Sequence, residues 1–208
     1  MNLTNYYWYF QSAIPERICD EIVKYGKSIS DQMAVTGGMG NKKLNQKQIK
    51  DLKQKRDSNI VWMNDRWIYK EIQPYIHQAN ENAGWNFQWD FSESCQFTKY
   101  EKGQFYDWHC DGWDRPYQRQ EGDPSHGKIR KLSVTVTLSD PKDYKGGELE
   151  FDFRNMDPDK KPNIRKCTEI LPKGSLVVFP GFVWHRVCPV KKGTRHSLVI
   201  WNLGWPYK

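Results

Sequence analysis

The sequence predicts an all-β sandwich or barrel with helices laid against one side of it, and three observations carry that expectation. Up to Gly84 the apolar residues recur mainly at helical spacing. Beyond Gly84 the period drops to two. From there to the carboxy terminus, short strand-like runs follow one another between turn signals.

Taken in order, Ile14, Ile18, Ile22 and Tyr25 share one face of an amphipathic helix, with Pro15 where a first turn tolerates it and Gly26 as a stop. Ser30 to Asp57 contains the Gly37-Gly38-Met39-Gly40 cluster and a Lys/Gln/Asn-rich stretch without a sustained apolar face, so a mobile loop with at most a short helix is expected. Asn59 to Trp62 reads as a strand. Asn64 or Asp65 can then cap a helix carrying Trp67, Ile68, Ile72 and Ile76 on one side, which Pro74 should kink or restart. Trp85, Phe87, Trp89 and Phe91 alternate with Asn86, Gln88 and Asp90, a strand pattern. Further strands are expected over Cys95 to Tyr100, Phe105 to Cys110, Lys131 to Leu138, Glu148 to Phe153, Ser175 to Phe179, Val183 to Val187 and His196 to Trp201. The polar segment from Gly112 to Gly127 is placed to act as a lid. No internal repeat is visible.

With 208 residues the chain suits one domain, residues 1–91 forming a mostly helical flank around the loop 30–57 and residues 92–205 the β core. The net charge of +7 fits an acidic small molecule or an anionic polymer equally. Much of the excess lies in the run from Asn41 to Arg56, which reads as a solvated face. Ten Trp and eleven Tyr supply core area or flat contacts. Five Cys without CxxC spacing indicate neither a disulfide framework nor a zinc ribbon, and a reducing cytosol fits them best. The first ten residues lack the pattern of a secretory signal and no apolar run is long enough to cross a bilayer, so a cytoplasmic protein, of a cell or of a phage-infected host, is expected.

The stretch Tyr100-Glu-Lys-Gly103-Gln-Phe-Tyr106-Asp-Trp-His109-Cys-Asp111 carries the chemistry. His109 and Asp111 are two apart, which in an extended strand puts an imidazole and a carboxylate on one side. One more His would complete a facial triad with open positions on a non-haem Fe(II). His77 falls in a helix and His126 in the polar loop, whereas His185 lies in a strand-like run after the Pro180-Gly181 turn and is the choice. In the last strand Arg195, Ser197, Val199 and Trp201 face one way, and His196, Leu198 and Ile200 the other. A guanidinium and a hydroxyl on a face shared with Val and Trp make an anion site in an apolar cup, and a carboxylate suits that fork.

These residues resemble the iron(II) and 2-oxoglutarate-dependent dioxygenases, specifically the prolyl 4-hydroxylase-like branch with its short bacterial and bacteriophage forms. The family motif Tyr-x-x-Gly-Gln-x-Tyr-x-x-His-x-Asp stands at Tyr100 to Asp111. Gly146-Gly147-Glu148 looks like its Gly-Gly-Glu strand, and Leu171-Pro-Lys-Gly174, His185, Pro189-Val190 and Gly193 match its carboxy-terminal half. The resemblance covers roughly residues 92 to 205. It implies a double-stranded β-helix, or jelly roll, flanked by helices. It also implies that His109, Asp111 and His185 hold iron, that Tyr100, Arg195 and Ser197 bind the distal carboxylate of 2-oxoglutarate, and that Tyr106 and Trp201 line the substrate side. Arg195 stands where animal and plant prolyl hydroxylases generally carry Lys. The implied activity is hydroxylation of an unactivated C–H, on a protein or peptide, using Fe(II), 2-oxoglutarate and O2 and releasing succinate and carbon dioxide, with ascorbate as a further candidate. Asp111 favours hydroxylation, because halogenating relatives lack this carboxylate. Two other readings stand beside this one: a nucleic-acid or small-molecule oxygenase, the former using the basic run 41–56, and a non-enzymatic cupin-like metal-binding module, in which zinc could take the same ligands.

Overall fold

The computed structural model describes residues 4–34, 45–112, 115–154, 157 and 159–207. The glycine cluster at 37–40 and the first part of the basic run lie outside the described residues. Strand β1 (Trp8–Phe10) leads into helix α1 (Glu16–Ser28), and β2 (Gln32–Met33) follows. Helix α1 buries Ile18, Cys19, Ile22 and Gly26. Gly26 does not stop the helix as its composition suggests. A Cβ at that position would sit 2.7 Å from the Phe97 ring, so the glycine is a contact through which the helix approaches the sheet.

Helix α2 (Gln46–Lys55) begins in a capping box, with Asn45 and Gln48 exchanging side-chain and backbone hydrogen bonds. Then come β3 (Arg56–Asp57), β4 (Asn59–Met63) and helix α3 (Arg66–Asn82). Pro74 neither ends nor restarts α3. Ile68, Ile72 and Ile76 are each 0% exposed on its inner face. Burial worth ~1.5–3 kcal/mol per side chain outweighs the ~3 kcal/mol that an internal proline costs a helix.

The alternating aromatics after Gly84 do bury Trp85 and Phe87, but the ladder begins only at β5 (Phe91–Ser92). Asn80 explains the difference. Its side chain accepts from the Phe87 N–H and donates to the Phe87 carbonyl, its own carbonyl takes the Asn86 N–H, and Asn86 sits at φ +53°, so local bonds replace strand pairing.

The remaining strands are β6 (Cys95–Tyr100), β7 (Phe105–His109), β8 (Ile129–Thr137), β9 (Tyr144–Gly146), β10 (Leu149–Asp152), β11 (Ile164–Lys166), β12 (Leu176–Pro180), β13 (Trp184–Val187), β14 (Val190–Gly193) and β15 (Arg195–Gly204). They build two antiparallel sheets. The larger runs β1-β12-β8-β15-β6-β4-β2, with β5 also on β15; the smaller runs β11-β10-β13-β7-β3; β9 and β14 form a separate pair. This is the expected mainly-β jelly roll. The amino-terminal portion contributes more than a helical flank, since β1 to β4 all join the two sheets.

Two cores follow from this layering. Ile22, Ile72, Phe97, Val134, Leu198 and Ile200 belong to the core shared by the helices and the larger sheet. Tyr100, Leu149, Phe151, Val177, Phe179 and Val187 fill the second, between the sheets. Of the expected lid, residues 115–127 fold back on themselves: the Gly127 N–H donates to the Tyr117 carbonyl and the Tyr117 N–H to that of Lys128. Residues 113–114 lie outside the described residues.

Candidate active site

His109 ends β7 and His185 stands on β13 directly opposite it in the ladder. Asp111 lies just past the end of β7, where its N–H and that of Gly112 both donate to the Gly181 carbonyl. The three residues expected to share a metal therefore meet, with one ligand atom from each lying within 4.8 Å of the others. Nδ1 of His109 is 2.7 Å from the Asp107 carbonyl, and Nδ1 of His185 is 2.9 Å from that of Val183. A carbonyl accepts only, so each Nδ1 carries the proton and each Nε2 keeps a lone pair. These Nε2 atoms lie 3.8 and 3.5 Å from the Asp111 carboxylate.

Burial, reinforced by His185, pushes the pKa of His109 down to about 3, so its imidazole is neutral at pH 7. Burial alone would raise the Asp111 carboxyl, but His185, His109 and Arg130 together hold it below the ordinary carboxylate range. Two imidazole nitrogens from adjacent strands and one carboxylate oxygen from just past the end of β7 are the donor set of a non-haem Fe(II) centre. The residues fit that ion.

The Tyr106 ring lies parallel to that of His109, with centroids 3.5 Å apart, and the Arg56 guanidinium is 4.4 Å from the Tyr106 centroid. Burial raises the Tyr106 pKa to about 12, keeping the phenol neutral.

Strand β15 supplies the second half of the site. Arg195 pairs in register with Tyr100 on β6, and its guanidinium lies 5.5 Å from that ring. It is 2% exposed, its Nη1 donates to Ser197 Oγ at 3.1 Å, and among the described residues no carboxylate pairs with it. A buried cation without an acid needs an anion. The dicarboxylate 2-oxoglutarate supplies one, and Arg195 fits it. Ser197 is flanked in register by Thr98 on β6 and Thr137 on β8, so three hydroxyl residues cross the larger sheet in one row.

Trp201 is 5% exposed and its indole N–H has no hydrogen-bond partner among the described residues. The Arg130 guanidinium lies 3.8 Å from its ring centroid and forms a 2.6 Å ion pair with Glu93. Beside them a hollow of about 370 Å³ is lined by Trp62, Phe91, Glu93, Arg119, Asp123 and Arg130.

The histidines set aside stay away from this centre. His77 stacks on Trp89, His126 is exposed, and His196 packs on Phe97 on the other face of β15. Reading the sequence missed Arg56, Glu93 and Arg130. Arg56 closes the basic run and is 4% exposed, not solvated. Thr137 of the hydroxyl row carried a visible signal, since Ser133, Thr135 and Thr137 alternate with Val134 and Val136.

Residues 95–202 match the model of the 2OG-Fe(II) oxygenase superfamily. A PKHD-type hydroxylase of Xanthomonas campestris pv. campestris is 36% identical over 107 residues, half of this chain and 41% of that protein. The PKHD-type hydroxylase YbiX of Escherichia coli O157:H7 is 35% identical over 106 residues, half of this chain and 40% of that protein. The chain thus spans about two fifths of the length of the curated relatives it matches. Among solved structures, the viral collagen prolyl hydroxylase vCPH from Paramecium Bursaria Chlorella virus-1 superposes with a TM-score of 0.64 at 20% identity, covering 97% of both chains. A Pseudomonas putida prolyl-4-hydroxylase does so at 0.63 and 19% identity, covering 96% of this chain and 93% of that one. These likenesses extend the shared fold over almost the whole chain.

Proposed function

The chain belongs to the 2OG-Fe(II) oxygenase superfamily, and we propose that it hydroxylates an unactivated C–H of a protein or peptide. One observation carries this reading: a two-His, one-carboxylate cluster shares its barrel with a buried guanidinium that no acid of the described chain neutralises. A module that only stores a metal has no use for that cation.

His109, Asp111 and His185 hold the iron through Nε2, a carboxylate oxygen and Nε2. Arg195, oriented by Ser197 and flanked by Tyr100, anchors the distal carboxylate of 2-oxoglutarate. Bound iron and 2-oxoglutarate supply the oxidising chemistry, with O2 consumed and succinate and carbon dioxide released. Tyr106 and Trp201 line the substrate side, and the Glu93–Arg130 pair beside the hollow offers both signs of charge to a peptide backbone. The likeness to the viral collagen prolyl hydroxylase supports a protein or peptide substrate, and the PKHD-type hydroxylases among the relatives support hydroxylation. Among the described residues no helix is long and apolar enough to cross a membrane. All five thiols are free, which supports a reducing, cytoplasmic setting.

A nucleic-acid substrate is the second reading. Helix α2 exposes Lys47, Lys50, Lys53 and Lys55 and runs directly into Arg56 beside Tyr106. Oligonucleotide binding that falls steeply with salt supports it, and salt-insensitive turnover of peptides opposes it.

The test is to incubate the protein with Fe(II), 2-oxoglutarate and ascorbate and measure succinate, then to search peptide and oligonucleotide libraries for an added oxygen by mass spectrometry. Succinate above a metal-free control is expected, and loss of it in His109→Ala. No succinate from protein shown to bind iron overturns the enzyme reading.

A further inference from the structure

Gly147 leads from β9 into β10 at φ +68°, and its N–H donates to the Pro189 carbonyl. A Cβ at this position would lie 2.9 Å from Cδ of Arg195 and 3.0 Å from Cγ2 of Val190. Both distances are too short for unstrained carbon contacts. Val190 has little freedom to retreat: it is 1% exposed, its N–H donates to the Gln104 carbonyl at 3.0 Å, and its own carbonyl accepts from the Gly103 N–H at 2.8 Å. The flexible stem of Arg195 is the part that must move.

We propose that Gly147 is a positioning residue for the cosubstrate, its bare α-carbon forming one wall of the channel that aims the Arg195 guanidinium at the distal carboxylate of 2-oxoglutarate. The inference rests on the reading that Arg195 holds that carboxylate. Any side chain at 147 displaces the stem at Cδ, one bond from the guanidinium, and so upsets both the Ser197 contact and the fork geometry on which paired N–H···O bonds to a carboxylate depend. Gly146 differs. A Cβ there would strike the Pro189 carbonyl and the Lys191 backbone, so the cost of a side chain at 146 falls on the β9–β14 pair and not on the guanidinium.

The experiment is a double-mutant cycle on 2-oxoglutarate binding, followed by calorimetry on Mn(II)-loaded full-length protein, where no turnover is needed. Gly147→Ala is expected to raise the 2-oxoglutarate Kd about tenfold or more while the Mn(II) Kd stays within about twofold of wild type. In an Arg195→Ala background the same substitution is expected to change the 2-oxoglutarate Kd less than about twofold. Equal losses in both backgrounds, or no loss in the first, overturn the proposal. If Gly147→Ala does not fold, Gly147→Asn carries a Cβ on a residue type that tolerates positive φ, and the same cycle applies. An Arg195→Ala protein that keeps wild-type 2-oxoglutarate affinity would instead remove the premise about Arg195. Unchanged affinity in Gly147→Ala beside a loss in Arg195→Ala removes only the role of Gly147.

Discussion

The two faces of β15 are built on opposite rules. Toward the helices, Leu198 and Ile200 are 0% exposed and pack with Val134, Val136 and Phe97, while His196 fills the end of the row. Toward the other sheet, among the described residues, Arg195 lacks an acid, Ser197 serves Arg195 and Trp201 keeps an unpartnered N–H. Both faces are buried, yet only one holds a guanidinium that no carboxylate of the described residues pairs. A fold tolerates unmet polar groups where a ligand completes them, so the imbalance between faces separates site from scaffold.

The sharpest way to break this distinction is at the metal end. Asp111→Ala removes the one carboxylate between two imidazoles, and Fe(II) or Mn(II) affinity should fall at least ~100-fold, with succinate release lost in proportion. Calorimetric metal titration checks this. Retained metal affinity would mean that the cluster is a hydrogen-bonded core feature. Next in size is Ile200→Ala on the helix face, expected to cost about 2–4 kcal/mol in urea unfolding, with no change in 2-oxoglutarate affinity in the protein that remains folded. Arg195→Ala should do the reverse: 2-oxoglutarate Kd up about 10–100-fold, metal affinity kept, and stability unchanged or raised because an unpaired buried charge is gone. If both variants lose stability alike, the faces do not differ.

The same contrast explains what was legible in the sequence. The period-two alternation of residues 195–201 gives both faces at sight, and His109-x-Asp111 gives two of the proposed ligands, because each depends only on local geometry. His185 followed from its place in a strand-like run, and the ladder puts it opposite His109. Arg56, Glu93 and Arg130 escaped because their roles come from pairing between distant segments. Arg56 is carried inward by two residues of β3 bonded to β7, and Glu93 meets Arg130 across 37 positions of sequence. Local pattern could not reveal either. Gly26 misled for a related reason: it is a breaker by propensity, and it sits in a helix held by its contact with the sheet.

His196 is the titratable group on the helix face of β15, and it yields the smallest effect. Its Nδ1 faces Ser139 Oγ at 3.3 Å, its ring stacks on Phe97, and its Nε2 has no partner among the described residues. Burial lowers its pKa to about 4, helped by Lys27 on α1, Lys99 on β6 and neighbouring Arg195. The unfolded chain, with a His pKa near 6.5, therefore binds a proton that the folded one refuses. The contribution is complete above pH 6.5 and is lost as the pH falls toward 4. By pH 5.5 the part already lost is about 1 kcal/mol. His196→Gln keeps a polar group near Ser139 without titrating. The stability gap between wild type and this variant, measured by urea unfolding, should shift against wild type by that amount between pH 7.5 and pH 5.5. A gap constant across that range would mean that His196 takes up its proton in the folded protein, and that the helix face is wetter than its packing indicates.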